Sequence, residues 1–293
     1  MDTEKCRVLF EILKCGSFSA AADKMGYTPS GLSRMIASME EDTGFSLLQR
    51  SREGVKPTKE CEKILPVFKE LIAIDEKYRQ IVDEINGIET GTVVVGTAYS
   101  IYYKWLSNVI KDFKKEYPNI EVKITDGKST ELYKMISNCE LDFAIVSKRD
   151  GYTSWHHLFD DPLVAIVSKE NEYVNQGKFP VEMFKIEPYI ETFPGQDTDN
   201  ARMFAQNGLT PNIQFETEDT YASYRMVEAG LGVSLSNYIE SKERSIGENV
   251  CLIELDPSQI VEIGIAMPVD EVLSPAAGKF RDFAMNYIGD ITK

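Results

Sequence analysis

Four residues that can hydrogen-bond or carry charge, Thr28, Ser30, Ser33 and Arg34, fall within one short segment. On a helix, Ser30, Arg34 and Ala37 share a face and Ser33 lies near its edge. Thr28 is a good N-cap and Pro29 suits the first helical position, so the spacing predicts a helix starting here. Leu32, Met35, Ile36 and Met39 form its apolar stripe up to Gly44. Small and polar groups beside one arginine can enter a major groove, where a guanidinium reaches guanine edges or phosphate and hydroxyls bond either. Alone, the pattern fits a solvated helix face equally well. A short turn downstream shifts the balance, because Arg50, Arg52 and Lys56 surround Gly54, as expected of a wing lying along a phosphate backbone.

A second polar group recurs at the ends of predicted strands: Tyr99 and Ser100, Ser129 and Thr130, Ser147 and Lys148, Thr192 and Phe193, and Thr217. In open parallel sheets, ligands sit beyond the carboxyl ends of the strands, where helix N-termini converge. Any one of these hydroxyls is equally an ordinary N-cap. Their recurrence predicts a pocket for a small polar or carboxylate-bearing molecule, and Tyr99, Tyr102 and Tyr103 leave an aromatic one open.

Signs of catalysis are absent. His156 and His157 are adjacent, so they cannot form the i, i+4 metal pair of a zinc helix. No G-x-S-x-G elbow, P-loop or dinucleotide fingerprint occurs, and Gly230-Leu231-Gly232 follows a predicted helix, as a turn into a strand does. No enzyme, metal or cofactor is expected. Cys6, Cys15, Cys61, Cys139 and Cys251 are odd in number and widely spaced, which fits reduced thiols and gives little support to a Cys139–Cys251 redox switch.

The elements that must position these residues follow from periodicity. Glu4 to Lys14 reads as an amphipathic helix stopped by Gly16, and a short helix capped by Ser19 runs to Gly26. A long helix from Thr58 to about Ile85 carries Ile64, Phe68, Leu71, Tyr78, Val82 and Ile85 at steps of four and three, with Pro66 as a kink site. Such a seam wants either a partner helix or the chain's own C-terminal part. Beyond Thr92, strands alternate with helices: Val93 to Val95, Ile120 to Ile124 and Phe143 to Val146 form one βαβαβ unit. Tyr189 to Thr192, Ile213 to Glu216 and Val233 to Leu235 form a second, so two lobes with mainly parallel sheets are expected. The strand near Ile260 to Met267 and the helix Ala276 to Ile288 return to the first.

The net charge of -15 argues at first against a nucleic-acid partner. Its distribution does not, because residues 1–59 hold nine Lys and Arg against eight Asp and Glu, leaving 23 against 39 for the rest. At 43% hydrophobic content the chain can bury a sizeable core, and its apolar runs are strand-sized, so no membrane span is expected. The charged, helix-periodic start is unlike a secretory signal and predicts a cytoplasmic protein.

The first 60 residues resemble the LysR-type transcriptional regulators of bacteria. The resemblance lies in Gly16-Ser17-Phe18, Ala20-Ala21-Ala22, Leu32-Ser33-Arg34, Ile36, Met39-Glu40, Gly44, Leu47-Leu48, Gln49-Arg50 and Pro57-Thr58. Where the family usually has Gln-Pro-Ala ahead of the Ser-Arg pair, this chain reads Pro29-Ser30-Gly31. The C-terminal part is similar to the LysR-type effector domain in Phe113, Tyr117-Pro118, Glu121, Leu141-Asp142, Pro162-Leu163 and Val227 to Gly232. The resemblance implies an α/β protein overall: an all-α winged helix-turn-helix at 1–59, a linker helix at 60–90, and a two-lobed α/β domain at 91–293 similar to periplasmic solute-binding proteins. Lobe I is expected at about 91–165 and 266–293, and lobe II at about 166–265. Dimerisation through the linker helix, likewise implied, would present paired recognition helices to a two-fold operator in double-stranded DNA, and a tetramer is a further expectation. A solute-binding protein without DNA function is the rival reading, and the Thr28 to Lys56 module argues against it.

Overall fold

The computed structural model describes residues 2–51, 54–99, 103–149, 154–243, 248–268 and 273–291; Arg52, Ser100 and Tyr102 lie outside them. Three helices open the chain: α1 (Thr3–Cys15), α2 (Phe18–Met25) and α3 (Pro29–Thr43). Each has a side-chain cap at its start and a left-handed glycine at its end, Gly16, Gly26 and Gly44 respectively. Ser17, not Ser19, caps α2 by accepting from the Ala20 amide, so that helix begins two residues earlier than expected. A hairpin follows, with β1 (Leu48–Ser51) antiparallel to β2 (Gly54–Pro57). The Glu40 carboxylate on α3 accepts from the Leu47 amide at 2.7 Å and so ties this helix to the hairpin.

Helix α4 (Lys59–Ile85) is capped by Thr58 and continues through Pro66. Its start belongs to the N-terminal core, where Cys61 and Phe68 are buried with Val8, Leu9, Ile12, Leu32, Ile36 and Leu47, and Ile64 and Leu71 pack against them. The expected seam through Ile64, Phe68 and Leu71 is therefore largely used inside this domain. The stripe left exposed is Val67, Ile74, Tyr78, Ile81, Val82 and Ile85. On its other side α4 meets the rest of its own chain. The Gln80 side-chain oxygen accepts from the Ala276 amide at 3.2 Å, and Lys69 pairs with Glu140 at 2.6 Å.

The C-terminal part begins with β3 (Gly91–Thr97), α5 (Tyr103–Glu116), β4 (Ile120–Asp126), α6 (Ser129–Ser137) and β5 (Phe143–Ser147). Then come β6 (Ser154–Ser168), β7 (Lys178–Pro180), β8 (Tyr189–Thr192), α7 (Asp199–Gln206), β9 (Ile213–Thr217), α8 (Thr220–Glu228), β10 (Ser234–Asn237) and α9 (Tyr238–Glu243). Strands β11 (Val250–Asp256) and β12 (Ile260–Met267) and helix α10 (Pro275–Ile291) complete it.

Strand β6 is the spine of this part. The sheet order is β4-β3-β5-β12-β6-β11-β7, with β10 also on β6 and β8-β9 forming a separate parallel pair. The pairs β3–β4, β3–β5, β7–β11 and β8–β9 are parallel, as expected of crossover units. All three partners of β6 run antiparallel to it, so the sheet is mixed. The sequence reading lacked β6 because Asp160-Asp161-Pro162 interrupts its alternation and reads as a turn.

Two pairs of cores flank this spine. One holds Val93, Val95, Leu106, Phe113, Phe143, Ile145, Ile263, Ile265 and Phe280, with Leu132, Tyr133 and Val146 on the opposite sheet face. The other holds Leu163, Ala165, Val167, Phe184, Tyr189 and Phe204, with Ile166, Tyr224 and Val227 opposite. Leu163 already packs in the second core and Ile263 in the first, so the packing changes lobe a few residues earlier than the expected 165 and 266. Among the described residues no helix is long and apolar enough to cross a membrane.

Candidate functional site

The first site is the exposed side of α3. Thr28 accepts from the Gly31 amide at 3.1 Å and lies 3.2 Å from the Ser30 hydroxyl, so these two side chains fix the first turn, with Pro29 at its first position. Thr28, Pro29, Ser30, Arg34 and Ala37 are exposed while Leu32, Ile36 and Met39 are buried, and Ser33 is half-buried between them. This arrangement leaves an arginine and hydroxyls exposed on one helix face, a surface that can bond bases and phosphates. The hairpin adds Lys56, which is exposed; Arg50 is paired through its backbone with Val55, and its side chain, like the whole of Arg52, lies outside what the structure describes. The hairpin is seated by its glycine. A Cβ on Gly54, whose φ is +116°, would lie 2.9 Å from the Gly16 carbonyl oxygen, and that same oxygen accepts from the Val55 amide.

The second site is a cavity of about 400 Å³ between the lobes. Tyr99, Ser129, Thr192 and Phe193 of the expected residues line it, at the ends of β3 and β8 and the start of α6. Phe193 has a left-handed φ of 61°, a strained geometry for a bulky side chain, and its amide donates to the Thr217 carbonyl at 2.7 Å. Ser147 sits behind the wall, buried, with its hydroxyl 3.1 Å from that of Ser129. Thr130 reaches across the cleft and donates to Asp197 at 2.5 Å.

Two expected residues fall elsewhere. Lys148 turns away to pair with Glu262 at 2.9 Å and lines a separate polar hollow on the other side of the Arg149–Asp199 contact. Thr217 accepts from the Asp219 amide, two residues ahead of it, where it shapes the turn before α8. Ser100 and Tyr102 lie outside the described residues.

The sequence reading missed the charged centre of the cleft. The Arg149 guanidinium donates through Nη1 to the Asp199 carboxylate at 3.0 Å and to the Ser147 hydroxyl at 2.6 Å. Asp199 also accepts from the Ser147 hydroxyl at 2.8 Å and from the Tyr99 phenol. Only 6% and 10% of the Arg149 and Asp199 side chains is exposed, so the ion pair is a buried one. The Arg202 fork holds Asp197 by two bonds of 2.7 and 2.8 Å and pulls its carboxyl below the usual range, with the Thr130 hydroxyl adding to this. Where β6 passes between the lobes, Asp161 is buried and accepts from the Ile239 amide at the start of α9; burial pushes its carboxyl up to about 6. A polar residue two places beyond a strand end, as Arg149 is beyond β5, was a legible signal for the first of these. The lobe-crossing partners were not.

Comparison with known proteins covers both parts of the chain. The model of the bacterial regulatory helix-turn-helix protein, lysR family, matches residues 3–62, and that of the LysR substrate binding domain matches residues 86–288. The uncharacterized HTH-type transcriptional regulator YvbU of Bacillus subtilis (strain 168) is 24% identical over 290 residues, covering 99% of each chain. A full-length OxyR variant from Pseudomonas aeruginosa superposes with a TM-score of 0.76 at 17% identity, covering 98% of this chain and 94% of that one. Full-length CbnR in complex with its target DNA gives 0.64 at 16% identity, covering 98% and 100%. An exposed helix beside a hairpin, a long linker helix and a two-lobed domain around a polar cleft follow one another along the chain in the order of the two family matches, and the chain belongs to the LysR family of DNA-binding, effector-responsive transcriptional regulators.

Proposed function

We propose that α3 and the β1–β2 hairpin contact operator DNA, with Thr28, Pro29, Ser30, Ser33, Arg34, Arg50, Arg52 and Lys56 at the interface. The observation that carries this is the division of α3 into one face filled by core side chains and one bearing exposed hydroxyls and Arg34. The functional units are 1–59 for DNA, 60–90 for linkage and 91–293 for the effector. Dimerisation uses the exposed stripe of α4, because Val67, Ile74, Tyr78, Ile81 and Ile85 repeat at heptad spacing and all remain exposed. Two recognition helices so joined suit a two-fold operator, and pairing of dimers into a tetramer would extend the contact to a longer site. The protein acts in the cytoplasm, where its DNA lies.

The effector is a small polar molecule held in the interlobe cavity, where Tyr99, Ser129, Thr192 and Phe193 meet. It can shift regulation only as far as it binds one arrangement of the lobes better than another.

Fluorescence anisotropy of the full chain on DNA from upstream of its own gene, against a scrambled control and across a salt series, tests the DNA reading. Tighter binding to the upstream fragment that weakens with salt is expected. Equal binding to both fragments, or none to either from a folded protein, would remove the assignment.

A further inference from the structure

Asp199 belongs to the second lobe, at the start of α7, yet its carboxylate is held by first-lobe groups: the Arg149 guanidinium at 3.0 Å, the Ser147 hydroxyl at 2.8 Å and the Tyr99 phenol. A guanidinium, a hydroxyl and a phenol converging between two lobes form the donor set that would receive the carboxylate of a bound ligand. Here the chain supplies the carboxylate itself. An anion brought to Arg149 would meet Asp199 first. It could displace that carboxylate only by leaving it charged, nine-tenths buried and stripped of its cation.

The rest of the wall repels anions as well. Asp126, Glu131, Asp197 and Glu240 also line the cavity, and among the described lining residues Lys128 is the one cation besides Arg149. Among the described residues, three buried polar atoms on lining side chains have no protein partner: the donors Arg149 Nε and Asn237 Nδ2, and the acceptor Gln196 Oε1. Arg149 and Asn237 are themselves more than nine-tenths buried. Two donors and an acceptor suit uncharged oxygen and an O–H or N–H group, and the surrounding carboxylates suit an ammonium.

We propose that Asp199 is a built-in carboxylate that fills the anion subsite of the cleft, so that the effector is a small hydroxyl- or amine-bearing molecule without net negative charge. The inference rests on reading the cleft as the effector site, and it sets aside the carboxylate-bearing ligand that the strand-end hydroxyls allowed. Asp199 is then a specificity determinant, because it closes to anions a subsite whose donors would otherwise select them.

Thermal unfolding of the full-length protein in sodium acetate, against sodium chloride at equal ionic strength, tests it. The wild type should show no acetate-specific rise in melting temperature. Asp199→Ala vacates the subsite and should melt lower in chloride, then recover in acetate to a saturating level; Asp199→Ser serves if the alanine variant does not fold. A saturable acetate-specific rise in the wild type overturns the proposal without recourse to any variant. So does a folded Asp199 variant that gains nothing from acetate. If the variant takes up acetate while its affinity for the upstream DNA stays the same, the subsite assignment is supported and the regulatory reading of the cleft is what fails.

Discussion

Arg34 is exposed on α3 with no core role to perform, so its removal should be read in DNA binding and not in folding. Arg34→Ala should cost about 1 to 3 kcal/mol on the upstream fragment if the guanidinium reaches a base edge, with the preference over scrambled DNA narrowing in the same anisotropy assay. Asp142 and Asp161 illustrate the opposite case, polar residues whose work is internal. Asp142 accepts from the Val94 amide at 2.7 Å and returns its own amide to the Val94 carbonyl, which fastens the turn before β5 to β3. Asp161 caps α9 at the point where β6 changes lobe, and its carboxyl titrates at about 6 against an ordinary 3.8. The folded state thus holds this proton more tightly than the unfolded chain, and stability from the group is lost as pH rises through 6. Asp161→Asn keeps an acceptor for the amide and removes the charge. The wild type should therefore lose about 1 kcal/mol relative to the variant between about pH 5.5 and about pH 8, measured by urea unfolding.

At the scale of elements, the hairpin and the linker helix decide how the recognition surface is presented. Gly54 approaches the turn between α1 and α2 so closely that no side chain fits, and its φ of +116° is one that other residues rarely adopt. Gly54→Ala should displace the hairpin and weaken binding to the upstream fragment and to scrambled DNA by a similar factor if, as proposed, the hairpin contacts the phosphate backbone. A loss confined to the upstream fragment would show that it reads bases instead. Helix α4 divides its length between two tasks. Phe68 is buried in the N-terminal core, whereas Ile74 is 64% exposed and Tyr78 65% exposed. Ile74→Glu should therefore leave the melting temperature within a few degrees of wild type and convert dimer to monomer in sedimentation velocity, because a charge inside an apolar seam costs association and not folding. An unchanged sedimentation coefficient would place the interface elsewhere.

Across the whole molecule, the chain crosses between the lobes twice, within β6 and between β11 and β12, and the Arg149–Asp199 pair pins them together. Breaking a buried pair from one side leaves the partner charge uncompensated, so Arg149→Leu should cost about 3 to 5 kcal/mol in denaturant unfolding. The double variant Arg149→Leu, Asp199→Leu should recover most of that loss, since two apolar side chains can replace a buried pair at little cost. Failure of the double variant to recover would mean that the pair's hydrogen bonds to Tyr99 and Ser147 matter more than its charges. The contact of Gln80 with Ala276 joins the same domain to α4, so a change in the cleft has a packed route toward the DNA-binding end through lobe I and α10.

The features legible in the sequence were those whose physics is local. Thr28, Pro29 and Gly44 mark α3 because capping and backbone conformation are decided within a few residues, and the strand-end positions of Tyr99, Ser129, Thr192 and Phe193 follow from the alternation of strands and helices. The tertiary structure decided what depends on distant partners. Strand β6 forms through Asp160-Asp161-Pro162 because β12 pairs along it and an α9 amide engages the Asp161 carboxylate, which no local rule contains. Phe68 and Tyr78 stand on the same expected α4 seam, and only packing against the first three helices separates core from exposed stripe. Asp199 meets Arg149 across 50 residues of chain and two lobes; a charge pair at that separation is fixed by where the fold brings its ends, and sequence spacing holds no trace of it.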